Sequence, residues 1–135
     1  MNWKGLWLFL LLMTPSMVLA DSAPAANGQK DYLYYRDVNV PAFQRLREFF
    51  DLPERPGHYE VTLVSDSLGP LTFHVYKVEG DAEILIQKYR SYSFNNHEFH
   101  VKFYNEQGND DLIVEMANSN PAAKAKVSVI VVELP

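Results

Sequence analysis

From His58 to the C-terminus the sequence alternates between apolar and polar residues with a period of two, and no other feature narrows the fold as far. Tyr59, Val61 and Leu63 alternate with His58, Glu60 and Thr62; Leu71, Phe73 and Val75 with Thr72, His74 and Tyr76; Phe99, Val101 and Phe103 with Glu98, His100, Lys102 and Tyr104. Successive side chains of a strand point to opposite faces, so each apolar set marks a buried face. Leu112, Val114 and Met116, then Val127, Val129 and Val131, repeat the pattern. In Ala82 to Tyr92, Ile84 and Ile86 fall on one side and Leu85 on the other, which predicts a strand covered on both faces or one that changes sheets. Asp66 to Pro70, Glu79-Gly80-Asp81, Asn95-Asn96, Asn105 to Asp111 and Asn118 to Pro121 supply turns between these runs. Turn signals about eight to twelve residues apart with this alternation predict a mainly β chain, an antiparallel β-sandwich or jelly roll of about six to eight strands.

Upstream the pattern differs. Tyr32, Leu33, Tyr34 and Tyr35 open the ordered part as a short strand. Phe43, Leu46, Phe49 and Phe50 then recur at helical spacing behind Pro41, with Gln44, Arg45, Arg47 and Glu48 on the other side. This predicts one short N-terminal helix from Pro41, stopped near Leu52 by Pro53 and Pro56.

The first twenty residues read as a signal peptide: Lys4, the apolar run Gly5 to Met13, a break at Thr14-Pro15-Ser16, and Val18-Leu19-Ala20 before Asp21. The apolar run is much shorter than the about 20 residues a spanning helix needs. The expectation is cleavage after Ala20, a flexible leader over 21–30, a single domain over 31–135, and a soluble product in the periplasm or outside the cell. Cleavage would leave 11 basic against 17 acidic side chains. An acidic chain without basic runs is a poor partner for nucleic acid or an anionic membrane surface, and no stable membrane insertion is expected once the signal is removed. The sequence contains no cysteine, so the domain must be held by its core and hydrogen bonds alone.

The segments GHYEVTLVSDS (57–67), LTFHVYKVEG (71–80), DLIVEMANSNP (111–121) and AKVSVIVVEL (125–134) resemble in pattern the β-sandwich domains appended to secreted bacterial proteases, the pre-peptidase C-terminal type, and more loosely other exported jelly rolls. The resemblance covers about Gly57 to Leu134, implies an exported sandwich, and carries over no functional residue.

No residue grouping specifies catalysis. His97-Glu98-Phe99-His100 is the densest set of potential ligands, but on a strand residues three apart face opposite ways and cannot share one ion. A metal is therefore not expected. Were one bound, the candidates are His74, His97 and His100, meeting across strands, or Asp110 and Asp111, whose loop with Asn109 offers oxygen ligands suited to calcium. Glu60 with Glu98 is the available carboxylate pair for sugar hydrolysis, and no serine lies in a nucleophile elbow. Neither a cofactor nor an enzymatic activity is expected. Aromatic residues are more suggestive. Tyr89, Tyr92 and Phe94 stand with Lys88 and Arg90 near a strand end, and Tyr32, Tyr34 and Tyr35 with Arg36; rings beside polar groups stack on sugars or anchor protein interfaces. The sequence thus points to an exported, non-enzymatic binding or adaptor module of the cell envelope that engages an exported protein or a polysaccharide, with Tyr89, Arg90, Tyr92 and Phe94 as binding residues. The alternatives are a secreted enzyme inhibitor acting through Asn105 to Asp111, and a small metal-dependent hydrolase built on His58, His74, His97 and His100.

Overall fold

The computed structural model describes residues 32–135, which form eight strands: β1 (Tyr32–Val40), β2 (Arg45–Phe50), β3 (Gly57–Ser65), β4 (Leu71–Glu79), β5 (Ala82–Ser91), β6 (His97–Asn105), β7 (Asp111–Asn118) and β8 (Ala125–Leu134). The expected signal peptide and leader, residues 1–20 and 21–30, lie outside the described residues. The strands make two antiparallel four-stranded sheets, ordered β1-β8-β3-β6 and β2-β7-β4-β5. Only β4 and β5 are consecutive strands within one sheet, and every other connection passes from sheet to sheet. That strand order is the pairing of two Greek keys found in jelly rolls.

The period-two reading holds through the core. Tyr59, Val61 and Leu63 of β3 and Val127, Val129 and Val131 of β8 are fully buried, facing Phe73, Val75, Leu112 and Val114 of the other sheet. Fully burying such a side chain contributes about 1.5–3 kcal/mol relative to leaving it in water, and with no disulfide to assist, this layer holds the sheets together.

Two expectations fail. Among the described residues there is no helix, and the segment predicted to be one is loop to Gln44 followed by β2. Leu46 and Phe50 turn inward while Phe49 is 53% exposed, so apolar residues at helical spacing fall on both sides of a strand. Tertiary pairing to β7, with Arg45 opposite Ala117 and Phe50 opposite Leu112, overrides a local pattern only a few turns long. The second failure is β5, which is neither covered on both faces nor shared between sheets. It is an edge strand, with Ile84 and Leu85 both exposed, bulged against β4 between Val75 and Tyr76. A bulge and charged side chains are usual means of blunting such an edge.

Candidate functional site

The sheet-to-sheet connections sort the loops into two ends. Residues 41–44, 66–70, 92–96 and 119–124 gather at one end, where Phe43 N donates to Asn120 O at 2.9 Å and Ser119 N to Pro70 O at 3.0 Å. Residues 51–56, 80–81 and 106–110 gather at the other. The second group carries Asp51, Glu54, Asp81, Glu106 and Asp110 against a single cation, Arg55, whereas the first carries only Asp66 and Lys124. The first group instead displays apolar side chains: Phe43 is 74% exposed, Tyr92 74%, Phe94 75% and Leu68 40%.

A framework of amide side chains holds this end. Asn118, buried at the end of β7, donates from Nδ2 to the carbonyls of Val40 (3.2 Å), Pro41 (3.4 Å) and Ala123 (2.9 Å), and its Oδ1 accepts from Asn120 N at 2.9 Å. Asn120 Oδ1 in turn accepts from the backbone of Ala122 and Ala123. His97, buried at the start of β6, places Nε2 2.9 Å from Ser67 O and Nδ1 2.6 Å from Ser91 Oγ. The carbonyl can only accept, so Nε2 donates to Ser67 O, and Nδ1 shares a hydrogen bond with the Ser91 hydroxyl, which can donate or accept. On this frame Phe43 adopts φ 61°, a left-handed conformation uncommon for a bulky residue and costing about 1 kcal/mol or more. Strain of this kind gathers at binding and catalytic sites.

The four aromatic-cluster residues divide. Tyr89, 38% exposed on the edge strand β5, stacks on Phe99 with ring centroids 5.0 Å apart, which gives it a packing role at the open edge of the sandwich. Arg90 points out from the second sheet. Its Nη1 donates to Thr72 Oγ1 at 2.6 Å, its terminal nitrogens reach Ser119 Oγ at 3.4 and 3.5 Å, and its Nε donates to Tyr92 OH at 3.0 Å. The guanidinium also lies 5.1 Å from the Tyr92 ring centroid, a cation–π distance that fixes the ring. Tyr92 and Phe94 stay exposed, and a separate shallow cleft of 360 Å³ on the first sheet is lined by Asp66, Asn96, Glu98, Lys126 and Ser128 among others. Sequence reasoning did not select Phe43, because it was assigned to an inward helix stripe.

The candidate ligands for a metal are dispersed. His97 is inside, rather than on a solvent face, while His100 is on the outer face of the first sheet and His74 on that of the second. Strand β6 neighbours β3 and not β4, so His100 and His74 have no common face. Asp111 Oδ1 accepts from Leu52 N at 3.1 Å. Asp110 is buried with Lys77 Nζ 3.8 Å from its Oδ2, so a lysine occupies the side from which a cation would be held. Burial pushes both carboxyls above their ordinary range. Among the described residues no group of three or more His, Asp or Glu side chains could hold a metal ion.

Glu60 and Glu98 flank His100, whose Nε2 lies 2.7 Å from Glu98 and whose Nδ1 lies 3.0 Å from Thr62 Oγ1 and 3.8 Å from Glu60. The order hydroxyl, imidazole, carboxylate suits proton relay. It lies on the outer face of β3 and the edge strand β6, where His100 and Glu98 are both largely exposed. The loop expected to act as an inhibitor is folded back on itself, since Asn105 Oδ1 accepts from Gly108 N at 3.0 Å and Asp110 N at 3.3 Å.

These features define an eight-stranded sandwich with one aromatic loop end and one acidic end. No protein-family model matches the chain, and no curated protein sequence matches it. Solved structures share its architecture. The Yersinia pseudotuberculosis-derived mitogen superposes with a TM-score of 0.56 at 12% identity, over 76% of this chain and 86% of that one. PirA superposes with a TM-score of 0.50 at 14% identity, over 81% of this chain and 99% of that one. At such identity the likeness is one of fold.

Proposed function

We propose that the protein is an exported, non-enzymatic binding module of the cell envelope, and that it grips a polysaccharide through the loop end bearing Phe43, Tyr92 and Phe94. The observation that carries this reading is Phe43, a bulky residue held in a left-handed conformation with its ring 74% exposed. A fold gains nothing for its own core from that arrangement, whereas a binding surface gains a presented ring. Two further exposed rings, Tyr92 and Phe94, at the same loop end support a sugar ligand, because aromatic rings stack on sugar faces. The export of the module rests on residues 1–20, read from sequence.

The test is affinity electrophoresis through gels containing envelope polysaccharides, comparing the wild type with a Phe43→Ser, Tyr92→Ser, Phe94→Ser variant. The wild type is expected to be retarded and the variant, still folded by circular dichroism, to run freely. Equal retardation of the two would remove the loop end from the binding surface. Retention of the wild type by an exported protein and by no polysaccharide would replace the sugar with that partner.

A further inference from the structure

Arg90 is unusual in an acidic chain because its guanidinium is held by neutral groups alone. Its partners are the hydroxyls of Thr72, Ser119 and Tyr92, and no carboxylate lies within ion-pair distance of it or of Lys88 among the described residues. Hydroxyl partners fix the fork without neutralising it. Such an arrangement leaves a positioned, fully charged guanidinium, the group best matched to a planar or tetrahedral oxyanion.

Strand register extends the argument across the outer face of the second sheet. Arg45, Ala117, Thr72 and Arg90 form one row and Arg47, Glu115, His74 and Lys88 the next. Cations therefore stand at both edges, about 14 Å apart by three strand spacings of about 4.8 Å, with the small Ala117 and buried Thr72 between them. The carboxylates on this face are already engaged: Glu115 by Arg45 at 3.2 Å and Arg47 at 3.4 Å, and Glu83 by Arg47 at 2.5 Å. Arg47 is neutralised by these two acids, which leaves Lys88 and Arg90, beside Tyr92, as the unneutralised pair. His74 lies between Lys88 and Glu115, and its Nδ1 is buried without a hydrogen-bond partner. Burial pushes the His74 imidazole below its ordinary range, against the pull of Glu115, so at neutral pH it adds no charge to the face.

Resting on the reading of the loop end as a sugar-binding surface, we infer that the ligand is an anionic polysaccharide, whose acidic groups meet Arg90 and Lys88 while a sugar ring stacks on Tyr92. The chain would cross the sheet toward Arg45 along the Ala117–Thr72 row. A bilayer fits less well, because the charged row lies on a sheet face while the exposed rings stand at the loop tips, and a flat surface cannot meet both. A nucleic acid draws most of its affinity from neutralised phosphates, and two unneutralised cations give it few such contacts, whereas a sugar polymer also gains the ring stacking that Tyr92 offers.

The experiment is calorimetric titration of the protein with alginate oligomers and with their carboxyl-reduced, neutral counterparts, at low and physiological salt. The wild type is expected to bind alginate at least about tenfold tighter than the neutral form at low salt, with affinity falling steeply as salt is added. Lys88→Gln removes a charge that makes no described ion pair and should weaken alginate binding several-fold and flatten the salt dependence, leaving the neutral oligomer unchanged. Arg90→Lys keeps the charge but loses the fork and should weaken both. Equal affinity for the two oligomers with no effect of Lys88→Gln would overturn the anionic ligand while sparing the loop end as a sugar site. Binding of neither oligomer would sink the sugar-site reading itself. Binding of phosphatidylglycerol vesicles or of a single-stranded oligonucleotide in place of alginate would overturn the inference in favour of that polymer or surface.

Discussion

Replacing Asn118 tests whether the loop end is a built frame. Its amide donates two protons to three carbonyls, with the Pro41 contact at 3.4 Å sharing one of them, and its oxygen accepts from Asn120 N. Asn118→Ala removes three hydrogen bonds worth about 1 kcal/mol each net. The Val40 carbonyl is buried and stays unpaired, while water can reach the others, so a loss of about 2–3 kcal/mol follows. Asn118→Asp has nearly the same shape, and retains the acceptor for Asn120. It also aims a carboxylate at three carbonyl oxygens from a position only 2% exposed. An unpaired buried charge costs several kcal/mol, so the near-isosteric change should be the worse one, at about 4 kcal/mol. For a domain of about 100 residues each kcal/mol shifts Tm by roughly 4–8 °C. Thermal unfolding followed by circular dichroism at pH 7.5 should therefore place Asn118→Ala about 10 °C or more below wild type and Asn118→Asp lower still. At pH 4.5 the gap between the two variants should narrow, because a protonated aspartate regains a donor. An Asn118→Asp protein as stable as wild type, or more stable than Asn118→Ala at pH 7.5, would refute the assignment of Asn118 as the donor that ties β1, β7 and the 119–124 loop together.

Three other outcomes follow from the same geometry. Phe43→Gly should leave Tm unchanged or raise it by a few degrees, since glycine relieves a left-handed strain of about 1 kcal/mol, while retardation by polysaccharide weakens; a clear fall in Tm would mean that the ring itself holds the loop. Asp110→Asn should stabilise the protein by about 1 kcal/mol at pH 7, because Asp110 Oδ2 is buried without a hydrogen-bond partner and its 3.8 Å ion pair with Lys77, which keeps Glu79 at 3.0 Å, does not offset that burial. Burial is the main cause that raises the Asp110 carboxyl above its ordinary range, so its favourable contribution is present below the unfolded pKa of about 3.9 and is lost as pH rises through the higher folded value. Urea unfolding of both proteins should show the variant's advantage at pH 7 and none near pH 3.5; an equal advantage at both would assign it to something other than the charge. Gly69→Ala should cost about 2 kcal/mol, since its Cβ would lie 2.7 Å from His97 Cε1 and push the ring off Ser67 and Ser91; urea unfolding within 0.5 kcal/mol of wild type, a threshold of about the usual surface-substitution effect, would show that His97 can move freely.

Alternation made most of the sandwich legible in the sequence, because a half-buried strand writes its two faces directly into period two. The strands at His58 to Leu63 and Leu71 to Tyr76, and the last three, were readable for that reason. β2 was not, since six residues in which Arg45, Arg47 and Phe49 face out while Leu46 and Phe50 face in also satisfy a helical count. β5 was misread through the bulge between Val75 and Tyr76, which shifts the faces of Ile84 to Gln87 and makes an exposed edge look doubly apolar. For the site, Tyr92, Phe94 and Arg90 could be nominated from clustering in sequence, but not Phe43, whose relevance depends on a loop that reaches Asn120 from across the fold.

Net charge carries less information than it first offers. An acidic total argues against polyanionic partners only if the charges are spread evenly, and strand register prevents that here. Arg45 and Arg90 are far apart along the chain, yet pairing through Ala117 and Thr72 sets them in one row. The same connections collect Asp51, Glu54, Asp81, Glu106 and Asp110 at the opposite end. Fields fall off within about a Debye length of 8–10 Å at physiological salt, and that end lies several residues of strand away at about 3.4 Å each. A ligand at Arg90 and Lys88 is therefore largely screened from the distant acids and responds mainly to the charges within its own row and the next. What decides the sign of a partner for such a face is which cations lack a carboxylate, a property of register and side-chain contacts that no sum over the sequence contains.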